Sequence, residues 1–413
     1  MPSCADVAAA LLDQIRAIPT VDAHEHLHAE EMRLGRQVDI FLLFHQYLCV
    51  DFETAGMPAE QVALLDREDV PLDRKWAAVA PYLDLVRTGS VARPPFAALR
   101  RFYGEEDLTA DNYGVLTERM RANNTPGLFD RCLREACNIE LVLNQNRTMW
   151  QNDLFRPILP EDDIMRVGSR EQIEASWNEV GEAASTDLAS HEALMAALLS
   201  RRVSEGMIGI KGTAFPWVDG DRAAAETACP RLLAGTSHAD DFAIVQTYLR
   251  DRLYGLCGEA GIVVVKHSGV WAGGWSDHTT IRPTNIIPVA LKHRNTRFDL
   301  FHAGTPHPED ASLIARSFPN VWLNLCWSHL ISPRLAEEAL DLWLDMAPIN
   351  RVIGFGGDYW WAVENVYGAL EQARGIAARV LARRVASGDI SEARALQIAE
   401  RWFTGNAREV YRV

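Results

Sequence analysis

The chain has 413 residues, of which 48% are hydrophobic and 23% charged, with a formal net charge of −15. This is the composition of an ordinary globular protein, long enough for a large core and for a barrel enlarged by insertions. The acidic balance argues against a nucleic-acid partner, which needs a basic face, and no apolar run is long enough to span a membrane.

The opening stretch, "MPSCADVAAALLDQIRAIPT", has no Lys or Arg before its short apolar segment and carries Asp6 and Asp13. It reads as an amphipathic helix rather than a signal peptide. The seven cysteines are scattered and lack CxxC spacing, which suits reduced thiols and a cytoplasmic protein. A first strand follows in "IPTVDAHEH". The next hundred residues, from "DIFLLFHQYLCVDF" to "ALRRFYGEEDLTADNYGVLTERM", are helical in pattern. We read 30–135 as a helical insertion, since one crossover helix needs far less chain. "CNIELVLNQN" (137–146) gives a second strand, and a weak candidate in "DDIMRVGS" (162–169) a third. Five more strands are predicted at 207–215, 261–269, 296–304, 320–328 and 350–358, alternating with helical segments such as "DFAIVQTYLRDRLYGLCGEA" and "PEDASLIARSF". The segment 364–413 reads as two helices, the first capped by Gly388 and the second opened by Ser391. Eight βα units imply an α/β fold, a (β/α)8 TIM barrel with a helical insertion after the first strand, spanning 1–413 as a single domain.

The chemistry gathers at strand ends. Residues two apart on a strand share a face, so His24 and His26 of "VDAHEHLH" project together. His267 ends "GIVVVKH", His302 ends "RFDLFH", and Asp358 ends "RVIGFGGD". Barrel active sites are built from residues at such ends. Neutral imidazoles with a carboxylate and an open position make a catalytic site for Zn²⁺ or a similar divalent ion. Lys211, in "MIGIKGTAF", has three readings: a carbamylated bridge between two metals, an ammonium contacting an anionic substrate, or a strand-end lysine reaching solvent. Asp22 shares the face of His24 and either bonds a ligand or caps the strand.

Loops after these strands are rich in aromatic and basic residues. Trp271, Trp275 and Trp360 are expected to wall a pocket, Trp322 to lie in the core, and Arg282, His329, Arg147 and His307 to share the loop layer. Arg282 suits a carboxylate, so the expected partner is a small carboxylated or ring-bearing molecule. A homo-oligomer is compatible with the sequence, although no segment marks an interface.

The HxH after the first strand, with His267, His302 and Asp358 at later strand ends, resembles the amidohydrolase superfamily of metal-dependent barrel hydrolases. The segments "GIKGTAF", "KHSG", "FHAGTPHPEDASLIARSFPNVWLNLCW" and "IGFGGDYWWAVENVYGALEQAR" are similar to the branch that holds lone-metal decarboxylases and modules fused to glutamine-synthetase-like domains. The long helical insertion also resembles the more distant uronate isomerases. The resemblance implies that His24, His26, His267 and Asp358 ligate one ion rather than two, zinc first and manganese second. It further implies that His302 polarises the substrate or activated water, or binds a second metal if Lys211 is carbamylated, and that Asp358 shuttles a proton. Three functions are compatible: a hydrolase of an amide, lactone or related bond in a small carboxylated substrate; a non-hydrolytic enzyme, either a decarboxylase or an aldose–ketose isomerase of a sugar acid; and a binding module that keeps the barrel. The intact ligand set argues against the last. Uronate-type isomerases lack the His267 counterpart as a ligand, and the decarboxylases are shorter, so hydrolysis is the leading expectation.

Overall fold

The computed structural model describes residues 3–167, 170–181, 185–212 and 216–413. Eight parallel strands pair in sequence order: β1 (Thr20–Glu25), β2 (Ile139–Gln145), β3 (Phe155–Pro160), β4 (Gly209–Gly212), β5 (Val263–Lys266), β6 (Arg297–Leu300), β7 (Val321–Asn324) and β8 (Val352–Ile353). Chain beyond β8 closes the ring on β1, where Ala23 N donates to Phe355 O at 3.1 Å and Asp358 N to His24 O at 3.0 Å. The fold is therefore the expected (β/α)8 barrel. The strands are buried on both faces, as a parallel sheet wrapped by helices requires. Among the described residues, no helix is long and apolar enough to cross a membrane.

The helix Cys4–Arg16 opens with a capping box on Ser3 and Asp6 and buries Val7, Leu11 and Ile15 at helical spacing. At the other end, Asn365–Ala386 is followed by Gly388 at φ +83°, and Ser391 Oγ caps Glu392–Glu400. Between β1 and β2 the chain runs through short helices, among them Leu72–Val86 and Tyr113–Asn123. These enclose their own apolar cluster, which includes Phe41, Leu43, Phe44, Phe52 and Val79. A buried ion pair, Arg33 Nη2 to Glu364 Oε1 at 3.0 Å, ties this region to the chain after β8.

The third strand differs from expectation. Asp162–Met165, inside the predicted segment 162–169, is a helical turn, and 168–169 lie outside the described residues. The strand is instead "FRPILP", Phe155–Pro160, whose two prolines lack the N–H that an interior strand normally donates. Ladder bonds through carbonyls hold it nonetheless, with Ile208 N donating to Pro157 O at 3.1 Å. The fourth strand is shorter than 207–215, and 213–215 lie outside the described residues.

Candidate metal centre

Strand alternation places His24 and His26 in the barrel mouth. Asp358 reaches them from beyond β8 on a left-handed backbone, φ +69°, a conformation uncommon outside glycine and typical of functional positions. His24 Nε2 and His26 Nε2 lie 3.1 Å apart. Asp358 Oδ1 is 3.2 Å from the first and 3.1 Å from the second. Two ligand atoms about 2.1 Å from one ion stand about 3–3.4 Å apart, so the three donors are spaced as a cation's ligands would be. Without a cation, imidazole lone pairs and a carboxylate crowd one another in a buried site, which is costly. The donor set fits a divalent metal. Burial, reinforced by the Lys211 charge, holds His24 well below the ordinary imidazole pKa and so in the neutral form that metals bind. Burial alone would raise Asp358, but a proton on His24 or His26, standing where a cation would, outweighs it and pulls the carboxylate well below its usual range.

A second pair of imidazoles lies beside the first. His302 Nδ1 donates to the Cys326 carbonyl at 3.0 Å, and His267 Nε2 donates to the Val270 carbonyl at 3.1 Å. Those bonds fix both tautomers and leave His302 Nε2 and His267 Nδ1 facing each other, lone pair to lone pair, at 3.1 Å. Burial pushes His267 down to about 3 and His302 well below its ordinary value. His267 thus faces His302, while the group within ligand distance of one another is His24, His26 and Asp358. Cys326, just past β7, joins His302 and Asp358 in a second cluster whose ligand atoms lie within 4.8 Å of one another. Sequence reasoning missed it.

Lys211 is buried, which removes its solvent-reaching alternative. Its Nζ lies 2.9 Å from His24 Nε2, and burial lowers its pKa. Asp22 Oδ1 accepts from His24 N at 3.2 Å and from Gly357 N at 3.3 Å, so it braces the ligand strand rather than touching a metal.

A cavity of about 380 Å³ opens over His26 and Lys211. Its wall is largely polar: His28, Gln145, Asn146, Arg147, Glu161 and Asp162. Trp360 lines it, 48% exposed, with its ring centroid 6.3 Å from that of His26. Five of the expected residues, Trp271, Trp275, Arg282, His307 and His329, lie outside this wall. Trp275 projects fully into solvent. Arg282 pairs with Asp310 at 2.7 Å on the surface. His329 is fully buried against Phe355, because the chain after β7 turns into a one-turn helix, Ser328–Ile331, that carries it into the core. Trp271 stacks on His267, centroids 4.1 Å apart, and so supports an imidazole rather than lining this cavity. Arg147 lines the cavity while paired with Asp163 at 2.5 Å. His307 precedes the helix Pro308–Ser317 and is not part of the wall. Trp322 lies in the core, as expected.

The chain and its fold are similar to known proteins. The amidohydrolase family model matches residues 176–413, more than half of the chain. A uronate isomerase from Thermotoga maritima superposes with a TM-score of 0.81 at 15% identity, covering 98% of this chain and 97% of its own. A glucuronate isomerase from Caulobacter crescentus gives 0.80 at 15% identity, with 100% and 95% coverage. A Lactobacillus casei protein described as a metal-dependent hydrolase gives 0.65 at 13% identity, with 97% coverage of both chains. At these identities the likeness establishes the fold. No curated protein sequence matches the chain.

Proposed function

The chain belongs to the amidohydrolase family, and from that membership we propose a divalent-metal enzyme that interconverts the aldose and ketose forms of a small sugar acid. The observation that carries this reading is the three-donor group of His24, His26 and Asp358 beside a cavity walled by amides, carboxylates, histidines and an arginine. Such a wall suits a hydroxylated anion better than a ring-bearing apolar one. His267 faces His302 rather than the three-donor group, which supports this reading, because uronate-type isomerases are expected to lack that ligand. The structural likeness to two such isomerases agrees with this.

In this reading His24, His26 and Asp358 hold the ion, which when bound supplies Lewis-acid stabilisation of negative charge on a sugar oxygen. Asp358 also takes the proton from C2 as a general base and an enediol forms. The proton returns at C1 and the O2 hydroxyl proton moves to O1, so the atoms balance. Lys211 and Arg147 line the cavity; Lys211 would offer a positive charge to the same oxygens, and Arg147, paired with Asp163, would take the substrate carboxylate. Zinc or manganese suits the donor set, one ion before two.

Hydrolysis of a lactone or amide of such an acid is the second reading, favoured by the family's chemistry and by the second imidazole pair, His267 and His302. Proton NMR of the metal-loaded protein with a panel of hexuronates and their lactones distinguishes the two. Ketose signals growing from an aldose uronate are the expected result. Lactone or amide cleavage with no ketose from any uronate would overturn the isomerase reading.

A further inference from the structure

We propose that Gln46 and Tyr47, in the helical segment between β1 and β2, are positioning residues that hold Asp358 at the metal centre. The inference rests on the reading of Asp358 as a ligand given above.

Asp358 sits in a left-handed conformation, which for a residue with a Cβ persists only where its surroundings enforce it. Two peptide planes set its backbone angles. The plane before it is held from β1, where Asp358 N donates to His24 O at 3.0 Å, and Gly357 N, one peptide earlier, donates to Asp22 Oδ1 at 3.3 Å. The plane after it is pinned at both ends. Tyr359 N donates to Glu25 Oε2 at 2.5 Å, and the Asp358 carbonyl accepts from Gln46 Nε2 at 2.8 Å and from the Tyr47 hydroxyl. Gln46 Oε1 accepts from Trp360 N at 3.2 Å, so one amide spans Asp358 and Trp360. Gly357 allows this approach, since a Cβ there would lie 2.0 Å from Glu25 Oε1.

β1 thus controls the N–H side of the turn, and the helical segment controls its carbonyl side. Tyr47 is buried and packs on Trp327 and Tyr359, with centroids 5.2 and 5.6 Å away. Gln46 and Tyr47 follow the fully buried run Ile40–Phe44 of the segment's apolar cluster. Loss of both donors leaves the plane after Asp358 held only at its N–H end, by Tyr359 N and Glu25, which loosens the peptide that aims the carboxylate at His24 and His26. The helical segment then acts as a brace for the metal centre.

The test is metal affinity, measured by competition with a chromogenic chelator, for wild type, Tyr47→Phe, Gln46→Leu, the double variant and Asp358→Asn. The visible spectrum of each cobalt-substituted protein and its metal-free melting temperature are recorded alongside. The expected result is a 10–100-fold weaker affinity for the double variant, as when a ligand's supporting bonds are removed. A changed cobalt spectrum and smaller losses in the single variants should accompany it, with the metal-free melting temperature nearly unmoved. Affinity within twofold of wild type in the double variant, while Asp358→Asn loses the metal, overturns the proposal and leaves the ligand assignment standing. Metal retained by Asp358→Asn overturns the ligand assignment itself and the brace with it.

Discussion

His329 is a buried imidazole that takes no part in the metal centre, and acid should act on the fold through it. Among the described residues, no hydrogen bond of ordinary geometry reaches either ring nitrogen. Burial dominates, and the Leu325 carbonyl and the Asp358 charge offset it only in part, so the pKa falls from 6.5 to about 4. The folded state therefore binds fewer protons than the unfolded state between those values, and stability must drop as the pH falls. Above pH 6.5 the contribution is fully present. Lowering the pH from 7.5 to 5 removes about 2 kcal/mol through this one group, and about 3 kcal/mol is gone by pH 4. His329→Leu keeps a similar volume against Phe355 and cannot titrate. Urea unfolding of both proteins with chelator present, at pH 7.5, 6 and 5, isolates the effect from metal release. The wild type should lose about 2 kcal/mol more than the variant over this range. Parallel pH dependences for the two proteins would refute the assignment of a neutral, acid-labile His329.

Arg33→Met should destabilise the fold by about 3–5 kcal/mol in urea unfolding, because Glu364, itself buried, is left without its cation. A chelator should lower the melting temperature of the metal-loaded protein and leave a His24→Ala/His26→Ala variant unmoved. At a thousandfold excess of ion over Kd the bound metal contributes about 4 kcal/mol, so differential scanning calorimetry resolves the shift.

Much of the site could be read from the chain because strand alternation and strand length are local properties. His24 and His26 two apart, and Asp358 after an apolar run, needed only the period of a strand. His302 was legible in the same way, but its pairing with His267 was not, since it depends on carbonyl bonds to Cys326 and Val270 that fix the tautomers. Cys326 was hidden in "NVWLNLCWS", where a thiol reads as one more apolar core residue. Two prolines concealed β3 and with it Glu161, the next residue, which lines the cavity while accepting from Arg250 Nε at 2.6 Å and from the Tyr254 hydroxyl at 2.7 Å. Arg282, Trp275 and His329 were assigned to the right end of the barrel but not to the right direction. Sequence proximity to a strand end does not say whether a loop turns inward, outward or down into the core.

Lys211 decides between the remaining versions of the centre. Its Nζ lies 2.9 Å from His24 Nε2, so an ammonium there competes with an ion for one lone pair. Two unit charges about 4 Å apart repel by about 4 kcal/mol at an effective dielectric near 20, and a divalent ion doubles this. Burial already depresses Lys211, in the direction a neighbouring cation would push it further. If the amine remains a simple substrate contact, Lys211→Met relieves the competition. Metal affinity then rises while turnover falls, and the metal content stays at one equivalent. If Lys211 is instead a carbamate bridging two ions, with His267 and His302 facing the second, the same substitution removes a ligand, and affinity and stoichiometry fall together. Chelator competition and plasma mass spectrometry on the two proteins separate these cases, and a weaker affinity in the variant would refute the one-ion centre proposed for this chain.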